Sequence, residues 1–405
     1  MNFSQTLMTR LLIFLSIALN SIALLSVIWI IVPAPSYHIW LYSVAVSEWS
    51  LWFGALALIG IICALSARIF YRDKSAWGIS LIIGGLAFII SLYPFFSIIS
   101  AARQENVSLS LKRYFTGMTA VNNSSEAHTK NFATYTFARV GETDLKTDVY
   151  LPPENTANNG AGVIVVHGGS WGGGTRNDFP QWNRRLAEQG YIVFDIDYRL
   201  APQPNYLTAT GDVKCAVRWV KNHAAKFNVS PDRIALLGRS AGAHLALLAT
   251  FSAGDARFPA TCQDSETNEN VRAVISFYAP IDLLWAYDNP ANQFVIDGPA
   301  TLSRFLGGSP HESKEIRERF IIASPTAHVT GKTPPTLLIH GGRDQLVRFE
   351  NMNFLAEKLR QANVLHKTLF IPYAQHGFDY NFNGFGAQAA ESVILDFLRE
   401  NTQAK

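Results

Sequence analysis

The 405-residue sequence predicts an α/β domain with a doubly wound, mostly parallel sheet, preceded by three transmembrane helices. Three observations carry that reading. Charged residues make up only 16% of the chain, well under the usual quarter, and the mean hydropathy is positive, so part of the chain suits lipid. Long uncharged apolar stretches gather in the first hundred residues. From about Ala133, short apolar runs alternate with helical patterns, as in a parallel sheet covered on both faces.

The apolar stretches lie at about 11–32, 49–67 and 77–101, each near the roughly 20 residues that cross a hydrocarbon core of ~30 Å. The first also has the outline of a cleaved signal peptide with Arg10 as its basic end, but its length and the two spans that follow favour a membrane domain over residues 1–102. Arg68, Arg72 and Lys74 lie between the second and third spans, whereas the loop between the first and second has no Lys or Arg. The positive-inside rule then places the N-terminus in the cytoplasm and everything after Ala102 outside. Arg103, Lys112 and Arg113 weigh the other way. The expected localisation is a multi-pass integral membrane protein with an extracytoplasmic catalytic domain. A net charge of +3 is too small to imply a nucleic-acid partner, and none is expected.

Residues 103–132 are polar and weakly patterned, and read as a linker. Over 133–405, strands are expected at 145–152, 162–168, 191–198, 233–238, 273–279, 336–341 and 366–372. Helices are expected at 178–189, 208–227, 241–250, 349–362 and 387–400. Residues 252–272 and 284–330 fit neither pattern and read as lid-like insertions. Cys215 and Cys262 are a pair in an oxidising compartment or two separate thiols, and both readings stand open. Three cysteines with no Cys-x-x-Cys spacing indicate no metal site.

The chemistry gathers at strand ends. Gly238-Arg239-Ser240-Ala241-Gly242 has the form Gly-x-Ser-x-Gly between a strand and a helix. That turn is too tight for side chains at its flanks, and it lifts the serine hydroxyl toward the free amides of a helix N-terminus. The bland alternative is an N-capping serine. Upstream, His167-Gly168-Gly169-Ser170-Trp171 follows a strand. Acyl transfer passes through an oxyanion that needs fixed N–H donors, and Gly168, Gly169 and Ala241 are the candidates, with Ser170 beside them. His167 is expected to orient this loop. The serine needs a base and the base an acid. His376 in "IPYAQHGFDY" and Asp344 in "TLLIHGGRDQLV" each follow a strand, in the chain order Ser…Asp…His. Asp282 is the second choice of acid, His244 reads as a packed helix residue, and His340 as a shaper of the acid's loop. Ser170 and Trp171 are candidate substrate contacts, and Phe277, Tyr278 and Trp285 are further candidates to line an acyl pocket.

From about Ala133 to Asn401 these motifs resemble the α/β-hydrolase superfamily, in particular its hormone-sensitive-lipase-like esterase and carboxylesterase group; "DYRLAP" (Asp197 to Pro202) also matches that group. The resemblance implies a catalytic set of Ser240, His376 and Asp344, an oxyanion hole of Gly168, Gly169 and Ala241 amides, and hydrolysis of carboxylic esters through an acyl-enzyme. It implies no cofactor and no metal. Expected partners are a small-molecule or lipid ester substrate and the bilayer, with no obligate protein partner. Arg239, where the group carries an acidic or polar residue, Ala243 in place of a second glycine, and Gln203 after "DYRLAP" depart from the pattern and leave the substrate open. A serine peptidase on the same fold and a non-catalytic hydrolase-like binding domain are the alternatives. The first usually carries an extra gating domain that this sequence lacks, and the second usually comes with a broken triad.

Overall fold

The computed structural model describes residues 3–71, 77–123, 132–262 and 267–403. Outside them lie Arg72 and Lys74 of the cationic loop, 124–131 of the expected linker and 263–266 of the first insertion.

Helices α1 (Phe3–Val27), α3 (Ser50–Tyr71) and α4 (Trp77–Gln104) pack into a three-helix bundle, with a short helix α2 (Tyr37–Glu48) crossing between the first two. The stretches long and apolar enough to cross a membrane are Thr6–Ile30, Ser50–Ile69 and Trp77–Gln104, close to the expected spans. Small residues bring these helices together: the Asn20 amide donates to the Ser80 carbonyl at 2.9 Å, and a β-carbon on Gly60 or Gly84 would run into Asn20.

The rest is a doubly wound α/β fold. Its strands are β1 (Phe132–Val140), β2 (Thr143–Tyr150), β3 (Gly162–Val166), β4 (Ile192–Ile196), β5 (Ile234–Arg239), β6 (Ala273–Phe277), β7 (Thr336–Gly341) and β8 (His366–Ile371), in the sheet order 1-2-4-3-5-6-7-8. The first two pairings, β1–β2 and β2–β4, are antiparallel and the other five are parallel. Strands β3, β4, β5, β6 and β7 are buried throughout, which is why they read as unbroken apolar runs. Helices α6 (Pro180–Glu188), α7 (Tyr206–Asn222), α8 (Ala241–Phe251), α12 (Glu350–Gln361) and α13 (Phe385–Thr402) cover the two faces. The parallel register sets Val166 opposite Gly238, Arg239 opposite Phe277 and Gly341 opposite Ile371, so the segments that follow these strands emerge along one edge.

Three elements depart from the sequence reading. β1 is an edge strand with a mostly exposed face, so no apolar run marks it; its partner β2 defines it. Inside the expected linker lies helix α5 (Leu111–Asn123), docked on α13: Tyr114 stacks on Phe385 at 4.4 Å, and Arg113 pairs with Glu391 at 2.5 Å. Those partners lie some 270 residues away, so local polarity conceals the docking. The insertion over 284–330 is helical: α9 (Leu283–Asp288), α10 (Gly298–Leu306) and α11 (Lys314–Ile322) form a cap over the edge where the parallel strands end.

Candidate active site

The site grows from the turn after β5. Ser240 sits at φ +53°, ψ −122°, a conformation that side chains other than glycine's rarely adopt and that tertiary contacts must enforce. The flanks explain how. A β-carbon on Gly238 would run into the Gly242 carbonyl, and one on Gly242 into the carbonyls of His167 and Val166. The Ser240 amide donates to the Phe277 carbonyl at 3.0 Å, which ties the turn to the neighbouring strand. Its hydroxyl therefore stands at the N-terminus of α8, beside the Ala241 amide.

His376 and Asp344 arrive from the loops after β8 and β7. The Asp344 carboxylate accepts from the amides of Leu346 (2.8 Å) and Val347 (2.9 Å) through Oδ1. Oδ2 lies 2.7 Å from His376 Nδ1 and 3.3 Å from His340 Nε2. Burial pushes the Asp344 carboxyl up, but the two imidazoles outweigh it, and the group titrates well below the usual carboxylate range. An ionised carboxylate only accepts, so His376 Nδ1 carries the proton and donates to it. His376 Nε2 is then the acceptor, and the Ser240 hydroxyl donates to it at 2.9 Å. His340 Nε2 also reaches the Val347 carbonyl at 3.0 Å and pins the acid's loop. Asp282, the second choice of acid, caps α9 through the Trp285 amide instead.

The Gly168–Trp171 loop faces the serine. A β-carbon on Gly168 would stand 3.4 Å from the Ser240 β-carbon, and Gly169 adopts φ +113° with its carbonyl accepting from the Gly172 (3.1 Å) and Gly173 (2.9 Å) amides. Only glycine takes that turn without strain. His167 orients the loop: its Nδ1 donates to the Gly168 carbonyl at 2.7 Å, and its ring stacks on Tyr198 at 4.4 Å.

A pocket opens beside Ser240, walled by Ser170, Trp171, Pro290, Ile296, Leu302 and Leu346 among others. Trp171 stacks on Phe305 at 4.2 Å and donates from Nε1 to His244 Nδ1 at 3.2 Å. His244, fully buried, donates in turn from Nε2 to the Ala323 carbonyl at 2.8 Å, and burial pushes its imidazole down to about 4. The other aromatic candidates are corrected. Phe277 packs against Trp182, Tyr278 against His376, and Trp285 against Phe354; none of the three walls the pocket, because their strand and helix faces point away from it.

Sequence reasoning did not foresee the network beneath the turn. Arg239, immediately before the serine, is buried and bonds Asp379 at 2.6 Å, while Asp379 accepts from the Tyr278 hydroxyl at 2.6 Å. The Tyr278 ring lies 4.3 Å from His376. The sequence signal was Arg239 itself, a full charge after Gly238 at the end of an apolar strand. The described residues contain no cluster of His, Cys, Asp and Glu fit to hold a metal ion.

Known proteins resemble this chain in sequence and fold. LipM of Mycobacterium tuberculosis (strain ATCC 25618 / H37Rv), a probable carboxylic ester hydrolase, is 30% identical over 62% of this chain and 57% of its own length. Esterase LipC of the same organism is 33% identical over 59% of this chain and 58% of its own. The chain thus spans less than two thirds of these curated relatives. Among solved structures, esterase 2 of the Planctomycetes species Thermogutta terrifontis in its butyrate-bound form is 27% identical, with a TM-score of 0.54 over 67% of this chain and 92% of that one. The same esterase phosphonylated by sarin is 25% identical, with a TM-score of 0.55 over 67% and 94%. The mostly parallel sheet is thus that of an esterase α/β-hydrolase fold. With residues 147–359, more than half its length, matching the BD-FAE family model, the chain belongs to the BD-FAE family.

Proposed function

We propose that the chain is a membrane-anchored serine esterase that hydrolyses carboxylic esters through a Ser240–His376–Asp344 triad and an acyl-enzyme. The observation that carries this is the continuous chain of bonds from the Ser240 hydroxyl through His376 to Asp344, held on a strained turn at the N-terminus of a helix.

In this reading His376 Nε2 takes the Ser240 proton as the serine oxygen attacks the ester carbonyl. Negative charge on the carbonyl oxygen is met by the amides of Gly168, Gly169 and Ala241. His376 returns its proton to the departing alcohol and leaves an acyl group on Ser240. Water, deprotonated by the same imidazole, then releases the acid. Asp344 keeps Nδ1 protonated and steadies the imidazolium. Ser170 and Trp171 border the acyl site. The sarin adduct and butyrate complex of the related esterase support a nucleophile and an acyl pocket on this fold.

The three long apolar helices support the anchor. Ile31, Ala34 and Glu48 bond to the catalytic domain, so the segment between the first two spans lies on its side of the bundle, opposite the end of α3 that carries Arg68. Cys215 and Cys262 form a disulfide, with Cα atoms 5.6 Å apart. An oxidising compartment and the positive-inside rule together support an extracytoplasmic catalytic domain.

The test treats membrane-embedded protein with a fluorophosphonate probe and assays a short-chain p-nitrophenyl ester, beside Ser240→Ala. Labelling at Ser240, with both label and turnover lost in the variant, is the expected result. A folded protein that neither labels nor turns over would overturn the reading and promote a binding domain.

A further inference from the structure

The catalytic end of the sheet is fastened to the membrane bundle by every loop that carries the acid and the base. Arg343, next to Asp344, donates to the Ile31 carbonyl one residue past the first span. Gln345, on the other side of Asp344, accepts from the Ala34 amide at 2.7 Å, and its own amide donates to Gln375, next to His376, at 3.1 Å. Tyr373, three residues before His376, donates to Glu48 at the end of α2 at 3.3 Å.

The direction of α4 orients the domain. At about 1.5 Å per residue its 28 residues run about 42 Å, some 10 Å more than a ~30 Å hydrocarbon core. Phe95 on this helix meets Phe385, beside Tyr373, with ring centres 5.2 Å apart. Ten residues further on, Glu105 pairs with Lys367 at the opposite end of β8, at 2.7 Å. Leaving the membrane along α4, the chain passes the catalytic end of the sheet first and the far end last. The strand ends that bear Ser240, Asp344 and His376 therefore face the bilayer.

The pocket wall follows the same direction. Leu346 borders the pocket and also packs with Ala34, Trp40 and Val295 in one apolar cluster. Asn292 donates to the Ala34 carbonyl at 2.6 Å. The segment that contributes Pro290, Ala291 and Ile296 to the pocket is thus seated on the loop and helix that leave the first span. Between Asn292 and Val295 it presents Phe294, 79% exposed; α2, whose Trp40 packs with Val295, presents Tyr37 and Leu41, also exposed. An apolar ring left in solvent beside a membrane-emergent helix suits the boundary between headgroups and acyl chains, into which Phe, Trp and Leu side chains bury.

We infer that the substrate is a lipid-like ester held in the bilayer, which enters from the membrane surface past Phe294 and the 290–298 wall. This rests on the esterase reading and names its substrate class. An apolar chain moving from lipid into this pocket never crosses water, and the bundle acts as a platform that fixes the height of the site as well as an anchor.

The experiment uses the full chain in vesicles of phosphatidylcholine and phosphatidylglycerol, with 4-methylumbelliferyl oleate in the bilayer and 4-methylumbelliferyl acetate in the water. The leaving group is the same, so the ratio of the two kcat/KM values reports access from lipid. Phe294→Asp is expected to lower the oleate-to-acetate ratio about tenfold, a factor that corresponds to about 1.4 kcal/mol, because a carboxylate in place of the ring resists burial at the lipid boundary. Leu365→Asp, at an exposed position beside the far end of β8, is expected to leave the ratio unchanged. Hydrolysis of the acetate with none of the oleate would overturn the inference and leave the esterase intact. So would a ratio that Phe294→Asp fails to move, or that both variants lower equally. If neither ester is hydrolysed and the fluorophosphonate leaves Ser240 unlabelled, the esterase reading falls and this inference falls with it.

Discussion

Arg239 and Asp379, 2.6 Å apart and both shut away from solvent, join the residue before Ser240 to the turn three residues past His376. The guanidinium lies over the rings of Phe179 (4.2 Å) and Phe277 (4.9 Å), and Tyr278 completes the carboxylate's bonds. Two loops that must stay in register are thereby held by a buried ion pair.

Removing one partner strands the other charge in the core, which costs about 3–5 kcal/mol. Arg239→Met should lower the unfolding midpoint by on the order of 10 °C. Arg239→Met combined with Asp379→Asn should recover more than half of that loss, because no buried charge remains. Thermal unfolding of the three proteins in one detergent checks this. A double variant no more stable than the single would assign the loss to packing rather than charge.

Asp344→Asn should leave the loop in place and remove the acceptor that selects the His376 tautomer. The expected fall in kcat is about 10³–10⁴-fold with KM little changed, since the acid steadies the imidazole rather than the substrate. Steady-state kinetics on a soluble ester separate the two constants, and a change confined to KM would refute the assignment.

His244 couples stability to pH. Its Nδ1 accepts from Trp171, so a second proton there would meet an N–H, and burial pushes the imidazole down from 6.5 to about 4. Between those values the unfolded chain binds a proton that the folded one refuses. The associated stability is complete above about pH 6.5 and is lost as the pH falls toward 4, by about 3 kcal/mol in all. Unfolding midpoints measured from pH 7 to 4.5 should fall in the natural protein and fall less in His244→Gln. Parallel slopes would show that other groups govern the acid limit. Because Trp171 walls the pocket, the same proton should also loosen its seat.

The Cys215–Cys262 disulfide closes a 47-residue separation and should contribute about 4 kcal/mol by restricting the unfolded chain. Reduction should lower the unfolding midpoint, and maleimide labelling of these two cysteines should require prior reduction. Ready labelling of both in the untreated protein would mean that the thiols are separate.

Much of the candidate site was legible because it depends on near neighbours in the chain. Glycines at 238 and 242 are demanded by the turn that holds Ser240, and that demand shows within five residues. Asp344 and His376 each follow an apolar strand closely, and parallel strands of similar register must deliver such residues to one edge. The three long apolar helices were equally plain, since lipid selects for composition over some 20 residues. Edge strand β1 and helix α5 escaped notice because partners remote in sequence, rather than their own pattern, hold them in place.

By itself, then, the sequence determined the α/β class, the apolar helices and the strand ends at which Ser240, Asp344 and His376 stand, because backbone geometry and hydrophobic periodicity act over a few residues. Only the tertiary structure decided that Arg239 would pair with Asp379, that Cys215 would join Cys262, and that Asp344 would lie between two residues bonded to the exit of the first span. Those contacts join residues from 47 to 312 positions apart. No local propensity encodes such distances; they follow from how the packed sheet, the cap and the membrane helices close on one another.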